Sequence, residues 1–158
     1  MESNHRTQIR SLPLYPLSYG AGFGQSSAVE TLEAARRWAE GWLRAWPAAD
    51  AEAVAALYAE DAEFRSEPFR DLQTPRDYAE WAFSEQHEAE CWFGEPIVEG
   101  DRAVVEYWAI VRFEGRDQTI AGIAVIRFRP DGLVAEQHDY WNVRDGRVGP
   151  RPGFGFGS

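Results

Sequence analysis

Near residue 89 the spacing of apolar side chains changes from about 3.6 residues to 2, and it does not change back. Downstream, four extended segments are predicted at roughly 89–99, 102–114, 117–129 and 133–144. The turns between them are Glu99-Gly100-Asp101, Glu114-Gly115-Arg116 and Pro130-Asp131-Gly132, each with a glycine where positive φ is cheap. Connections this short make an antiparallel meander. Upstream the pattern is helical. Ser27 is a suitable N-cap for a helix to about Trp46, with Leu32, Ala35, Trp38, Trp42, Ala45 and Trp46 on one stripe, and Pro47 is expected to stop it. Asp50 caps a short second helix through Tyr58, with Val54, Leu57 and Tyr58 facing in. Thr74 at N-cap, Pro75 at N1 and Asp77 at N3 start a third, which carries Tyr78, Trp81 and Ala82 inward and ends near Glu85. A short strand near residues 62–66 fits between the last two helices. Helices first and hairpins after predict an α+β domain, with about three N-terminal helices on one face of a curved, mainly antiparallel sheet.

The 158 residues suffice for one compact domain and leave little room for a second. Sixteen Lys and Arg against 26 Asp and Glu give a formal net charge of −10. A surface that acidic repels a phosphate backbone, so no nucleic-acid partner is expected, and anionic membranes are disfavoured for the same reason. No apolar run approaches the ~20 residues that span a bilayer. Leu12-Pro13-Leu14-Tyr15-Pro16-Leu17 is too short and proline-broken for a secretory segment, so the expected location is cytoplasmic. Cys91 is the only cysteine, which leaves no internal disulfide. Residues 1–27 and the Gly/Pro-rich residues 147–158 show no periodic face and are expected to be flexible or draped over a domain formed by residues 28–146.

Several features then occur in a telling order: a Trp-bearing long helix, Leu57-Tyr58-Ala59-Glu60-Asp61-Ala62-Glu63-Phe64, the capped third helix, four strands, and a last strand containing Asp139-Tyr140-Trp141-Asn142. Together they resemble the nuclear transport factor 2-like superfamily, most closely its polyketide-cyclase-like (SnoaL-like) branch, over about residues 28–146. The resemblance implies a cone-shaped half-barrel with a pocket between the concave sheet face and the helices. It implies no single activity, since isomerases, cyclases, hydratases, epoxide hydrolases and non-enzymatic binders share the fold.

Strand alternation assigns most of the inner face. Val105, Tyr107, Ala109, Val111 and Phe113 form one uncharged row, and Ile120, Gly122, Ala124, Ile126 and Phe128 the next. The last strand has no clean apolar row, and there the resemblance decides. Epoxide-hydrolase members supply an inward carboxylate from Trp-Arg-Asp-Tyr-Phe-Asp; the similar Gln137-His138-Asp139-Tyr140-Trp141-Asn142 implies that Asp139 faces the pocket. Those members carry an Arg and a second Asp where this chain has Tyr107 and Ala109, so epoxide hydrolysis by their route is not implied.

A lone carboxyl among Tyr107, Gln137, Trp141 and helix-borne aromatics is expected to have its pKa raised by desolvation, as general acid–base catalysis requires. The implied function is a cofactor-independent enzyme of isomerase, cyclase or dehydratase type on a small apolar carbonyl compound of polyketide or steroid kind. Asp139 moves a proton, Tyr107 donates to the developing oxyanion, and Trp42, Trp81, Gln137 and Trp141 hold the substrate. The alternative is a ligand-binding or dimerisation module in which Asp139 ties sheet to helices and Trp38, Trp42, Trp46 and Trp81 fill the core.

Arg65 and Phe69 fall at the expected pocket rim, Arg65 to meet Asp139 or an anionic substrate group and Phe69 to line the entrance; pairing of Arg65 with Asp61 or Glu67 is the alternative. His87-Glu88-Ala89-Glu90-Cys91 lacks the second His of the helical zinc pattern, and no metal is expected. Gly20-Ala21-Gly22-Phe23-Gly24 follows no credible strand, so it is not read as a nucleotide loop. On the outer sheet face, Trp108, Ile110, Ile123, Val125 and Tyr140 form an apolar row of a kind monomers rarely expose, and a homodimer through it is expected.

Overall fold

A computed structural model describes residues 27–155; of the segments expected to be flexible or draped, residues 1–26 of 1–27, with the glycine-rich stretch, and residues 156–158 of 147–158 lie outside the described residues. Helix α1 (Ala28–Ala48) opens on a reciprocal capping box: the Glu30 N–H donates to Ser27 Oγ at 3.2 Å and the Ser27 N–H to Glu30 Oε2 at 2.7 Å. Its buried face carries Ala34, Ala35, Trp38, Ala39, Trp42 and Ala45. Pro47 does not stop the helix at Trp46 but sits inside the last turn. It removes the N–H that would have bonded the Leu43 carbonyl, and the Cys91 thiol donates to that carbonyl instead, at 3.8 Å.

Helix α2 (Ala51–Ala55) is shorter than the sequence predicts. Tyr58 does not end it but begins β1 (Tyr58–Arg65), because the Leu57 carbonyl already accepts from the Val134 N–H at 3.0 Å and the backbone has entered the sheet. Helix α3 (Pro75–Glu85) starts as expected, with the Asp77 N–H donating to Thr74 Oγ1 at 3.1 Å. Its buried residues are Pro75, Ala79, Ala82 and Phe83. Trp81, expected to face inward, lies off that face and is 47% exposed, with the Arg70 guanidinium 5.2 Å from its ring centroid.

The other strands are β2 (Gln86–Phe93), β3 (Ile97–Glu99), β4 (Arg102–Phe113), β5 (Arg116–Phe128) and β6 (Val134–Asp145). The single strand expected over 89–99 is two, since Gly94-Glu95-Pro96 interrupts the ladder where proline has no N–H to give. The sheet order is β1-β6-β5-β4-β2, with β3 also pairing β4; β1 runs parallel to β6 and the other pairs are antiparallel. Three helices thus cover one face of a curved, open, mostly antiparallel sheet. Register brings Tyr107, Gly122 and Trp141 into one cross-strand row and Val105, Ala124 and Asp139 into the next. Gly122 is required there: a Cβ would lie 2.6 Å from the Trp141 Cβ and 2.4 Å from the Tyr140 carbonyl oxygen.

Beyond β6 the described chain lies against the outer face of the sheet. Thr119 Oγ1 donates to the Gly146 carbonyl at 2.7 Å and accepts from the Val148 N–H at 2.9 Å. Trp108 Nε1 donates to the Val148 carbonyl at 2.7 Å. Arg147 pairs with Glu90, while Arg151 grips both oxygens of Glu106 and lies over Phe154, which is 5% exposed. The outer apolar row is therefore partly covered by the chain itself: Trp108 is half-buried and Ile110 buried, while Ile123 and Tyr140 remain exposed.

Phe154→Ala should lower unfolding stability by roughly 2–4 kcal/mol in urea titration. It should also red-shift tryptophan emission as Trp108, whose indole bonds this segment, becomes hydrated. Unchanged emission and midpoint would show that the segment does not dock.

Candidate active site

Between the concave sheet face and helices α1 and α3 lies a narrow cavity of about 30 Å³, room for two or three water molecules. Helix α1 contributes Trp38, Trp42 and Trp46, and α3 contributes Tyr78, Ala82 and Phe83; the sheet contributes Phe93, Tyr107, Gln137 and Asp139. The three tryptophans are one helical turn apart, so they stack along one wall with ring centroids 6.3 and 6.0 Å apart. Phe83 meets Trp42 edge-on at 6.3 Å and Phe93 meets Trp38 at a right angle at 5.7 Å. This aromatic wall leaves little free space.

Asp139, 7% exposed, is the one buried carboxyl among the described residues. Desolvation pushes its pKa up to about 8, against a hydrogen bond from Gln137 that favours the charged form. Gln137 Nε2 donates to Asp139 Oδ1 at 2.9 Å, and Gln137 Oε1 accepts from the Tyr58 hydroxyl at 2.6 Å. The Tyr58 oxygen in turn accepts from the indole N–H groups of Trp38 and Trp42, at 3.1 and 3.0 Å. Burial raises the pKa values of the Tyr78 and Tyr107 phenols, and the nearby Asp139 charge acts in the same direction. Among the described residues neither of those hydroxyls has a hydrogen-bond partner.

Of the residues singled out from sequence, Asp139, Tyr107, Trp42 and Gln137 line this cavity together. Trp81, Phe69, Arg65 and Trp141 do not. Trp141 Nε1 donates to the Ser66 carbonyl at 2.6 Å, tying β6 to the loop after β1. Arg65 Nη1 donates to the Arg70 carbonyl at 2.7 Å, bracing that loop rather than meeting Asp139. Arg70 Nη1 reaches Ser66 Oγ at 3.0 Å, and the braced loop turns Phe69 outward, 98% exposed. Sequence reasoning missed Tyr58, whose helical reading hid it, and gave no role to Tyr78 although the α3 period turned it inward. The His87–Cys91 segment lies within β2, and burial pushes the Cys91 thiol up to about 12, which leaves it unreactive. His138 is 3.6 Å from Glu136 and does not line the cavity. Among the described residues no three His, Cys, Asp or Glu side chains converge.

The raised Asp139 pKa carries a stability signature. Its folded value, about 8, lies above its ordinary value of 3.8, so the native state keeps a proton that the unfolded chain releases. Stability should fall as pH rises between those values and level off above the upper one. Asp139→Asn, which cannot ionise, is expected to exceed the parent in stability by an order of a few kcal/mol at pH about 9. That advantage should disappear toward pH 4; urea titrations across pH measure both ends, and a pH-independent difference would contradict the assignment.

The chain matches the family model of the SnoaL-like domain over residues 39–137. No curated protein sequence matches it. Solved structures share the fold. The epoxide hydrolase/cyclase-like enzyme SalBIII, with a role in pyran ring formation in the polyether salinomycin, superposes with a TM-score of 0.63 at 16% identity, covering 72% of this chain and 96% of its own. An LEH-like epoxide hydrolase of M. tuberculosis gives 0.57 at 17% identity over 73% and 84%. PrhC from Penicillium brasilianum gives 0.62 at 15% identity over 71% and 82%. A helical half roofing a curved sheet, an aromatic hollow between them and a family match over most of the domain lead to one conclusion: this chain belongs to the SnoaL-like family, within the nuclear transport factor 2-like superfamily.

Proposed function

We propose that this domain is a cofactor-independent acid–base enzyme acting on a compact carbonyl compound, with Asp139 as the group that moves the proton. The observation that carries this reading is a single buried carboxyl facing a cavity, its pKa raised to about 8 by desolvation. At neutral pH such a group is mostly protonated, so its first act is donation to a carbonyl or leaving hydroxyl oxygen. The carboxylate that results then takes the α-proton, and the acid is regenerated. One carboxyl therefore suffices for enolisation or dehydration, and the missing second acid is not needed. Tyr107 supplies a further donor to the oxygen on which charge develops, and Tyr78 a second phenol near the same carboxyl. Trp42, Phe83 and Phe93 exclude water and position the apolar part of the substrate. The narrow cavity favours a substrate of few atoms over the polycyclic compounds that the resemblance implies.

Exchange of α-protons for deuterium in acetone, cyclohexanone and 4-hydroxy-2-butanone, followed by proton NMR in D₂O, tests this reading. The protein should accelerate exchange or water loss for at least one, with Asp139→Asn at background. Tyr107→Phe should lose roughly 10²–10³-fold. No acceleration, or full activity in Asp139→Asn, would reject the enzyme. The second reading, a non-catalytic binding or dimerisation module, is favoured by the tryptophans that nearly fill the cone. It expects no exchange at all.

The proposed macromolecular partner is a second copy of this chain. Ile97, Ile123 and Tyr140 remain exposed apolar side chains on strands of the sheet, outside the cavity. Sedimentation should show a dimer that Tyr140→Glu dissociates; a monomeric parent would refute it.

A further inference from the structure

We propose that Trp38, Trp42, Tyr58 and Gln137 form a one-way hydrogen-bond relay that commits Oδ1 of Asp139 as an acceptor, so that Oδ2, with any proton, is presented to the cavity. Tyr58 and Gln137 are its positioning residues. Their catalytic importance rests on Asp139 being the working acid; the orientation itself does not.

The direction follows from what each group can do. An indole N–H only donates. Two of them point at the Tyr58 oxygen, from Trp38 at 3.1 Å and Trp42 at 3.0 Å, and use both of its lone pairs. The Tyr58 proton is left for Gln137 Oε1, at 2.6 Å. That choice orients the amide. Reversed, its NH₂ group would face a hydroxyl with no lone pair to offer. With the oxygen turned to Tyr58, Nε2 must face Asp139, which it does at 2.9 Å from Oδ1. A proton on Oδ1 would collide with that donor, so Oδ1 stays bare in both ionisation states. Oδ2 has no hydrogen-bond partner among the described residues, and Asp139 lines the cavity, so a bound molecule meets that oxygen. The relay crosses three elements, α1, β1 and β6, and all five side chains are buried.

The groups facing the carboxyl do not confuse its titration. They are the phenols of Tyr58 on β1, Tyr78 on α3 and Tyr107 on β4, all held above their ordinary range by burial. Arg70 and Glu67 lie beyond, beside Tyr78. Helix α1 presents only indoles to the cavity, and β5 places Ala124 beside Asp139.

The test uses the full chain labelled with ¹³C at the aspartate carboxyl carbons and ¹⁵N in the indoles, titrated by NMR from pH 6 to about 10. Indoles are assigned from Trp38→Phe and Trp42→Phe. In the parent, the Trp38 and Trp42 N–H resonances should shift with the same midpoint as the Asp139 carboxyl carbon. The Trp108 indole, bonded to the Val148 carbonyl, should stay flat. Gln137→Leu should raise the Asp139 midpoint by roughly one to two pH units, since it removes a donor to the charged form, and abolish the indole response. Tyr58→Phe should move the midpoint the same way by less. Flat Trp38 and Trp42 indoles while the parent carboxyl titrates would overturn the relay, as would an unchanged or lowered midpoint in Gln137→Leu. The parent titration decides the matter even if the leucine variant does not fold. None of these readouts involves turnover, so absent α-proton exchange would remove the enzyme and leave the relay standing.

Discussion

Burying an indole without an acceptor for its N–H costs about 1–3 kcal/mol, and α1 carries three buried indole N–H groups, of which only that of Trp46 has no acceptor among the described residues. Trp38 and Trp42 resolve that cost on one atom, the Tyr58 hydroxyl oxygen. Their shared acceptor ties α1, which packs mainly on β2 and β4, to β1 as well, and the Tyr58 proton extends the tie to Gln137 on β6. A mostly apolar interface between helix and sheet would tolerate sliding. A chain of directional bonds inside it does not, because displacing any member strands a donor in a medium with no water to replace the bond. The cavity and its carboxyl are built onto that seam.

The seam also explains why the acid is unusual. Gln137 is the one side chain that donates to Asp139 in the described structure, and aromatic rings take most of the remaining contact. Desolvation therefore outweighs the single hydrogen bond and the carboxyl prefers its proton. A stability-optimised core would place asparagine or an apolar residue there. Keeping an ionisable group in so dry a site is a standing cost above neutral pH, of the kind active sites carry. The outer face follows the opposite logic. There the chain after β6 covers Trp108 and fits Phe154 over the sheet beside Glu106, and the ion pairs of Arg147 and Arg151 lie exposed at the rim.

Much of the fold was legible because it is locally encoded. The Ser27–Glu30 box and the Thr74-Pro75 start act over three or four residues, and so do the glycine turns at Gly100, Gly115 and Gly132. Alternation read the inner rows of β4 and β5 correctly because a slip of one residue would turn every apolar side chain to water. Local rules failed where a distant partner intervened. Tyr58 follows a helical pattern, yet pairing with Val134 in β6 makes it a strand residue. Pro47 signals an end, yet a thiol from β2 satisfies the carbonyl it frees. Trp81 and Phe69 look like pocket residues by type, but Trp81 lies off the buried face of α3 and a loop braced by Arg65 and Arg70 turns Phe69 outward.

By itself, then, the order of periodicities determined the class of fold and the presence of an aromatic helix over a sheet, since both depend on neighbours a few residues apart. It also supplied a family resemblance that implied an inward Asp139. Only the tertiary structure decided what surrounds that acid. The Tyr58–Gln137 bond alone joins residues 79 positions apart, and the hydrogen-bond directions of these groups and the two indoles exist only once their segments meet. The size of the hollow was likewise a tertiary outcome, because free volume is what remains after side chains from two helices, α1 and α3, and a sheet have competed for the same space.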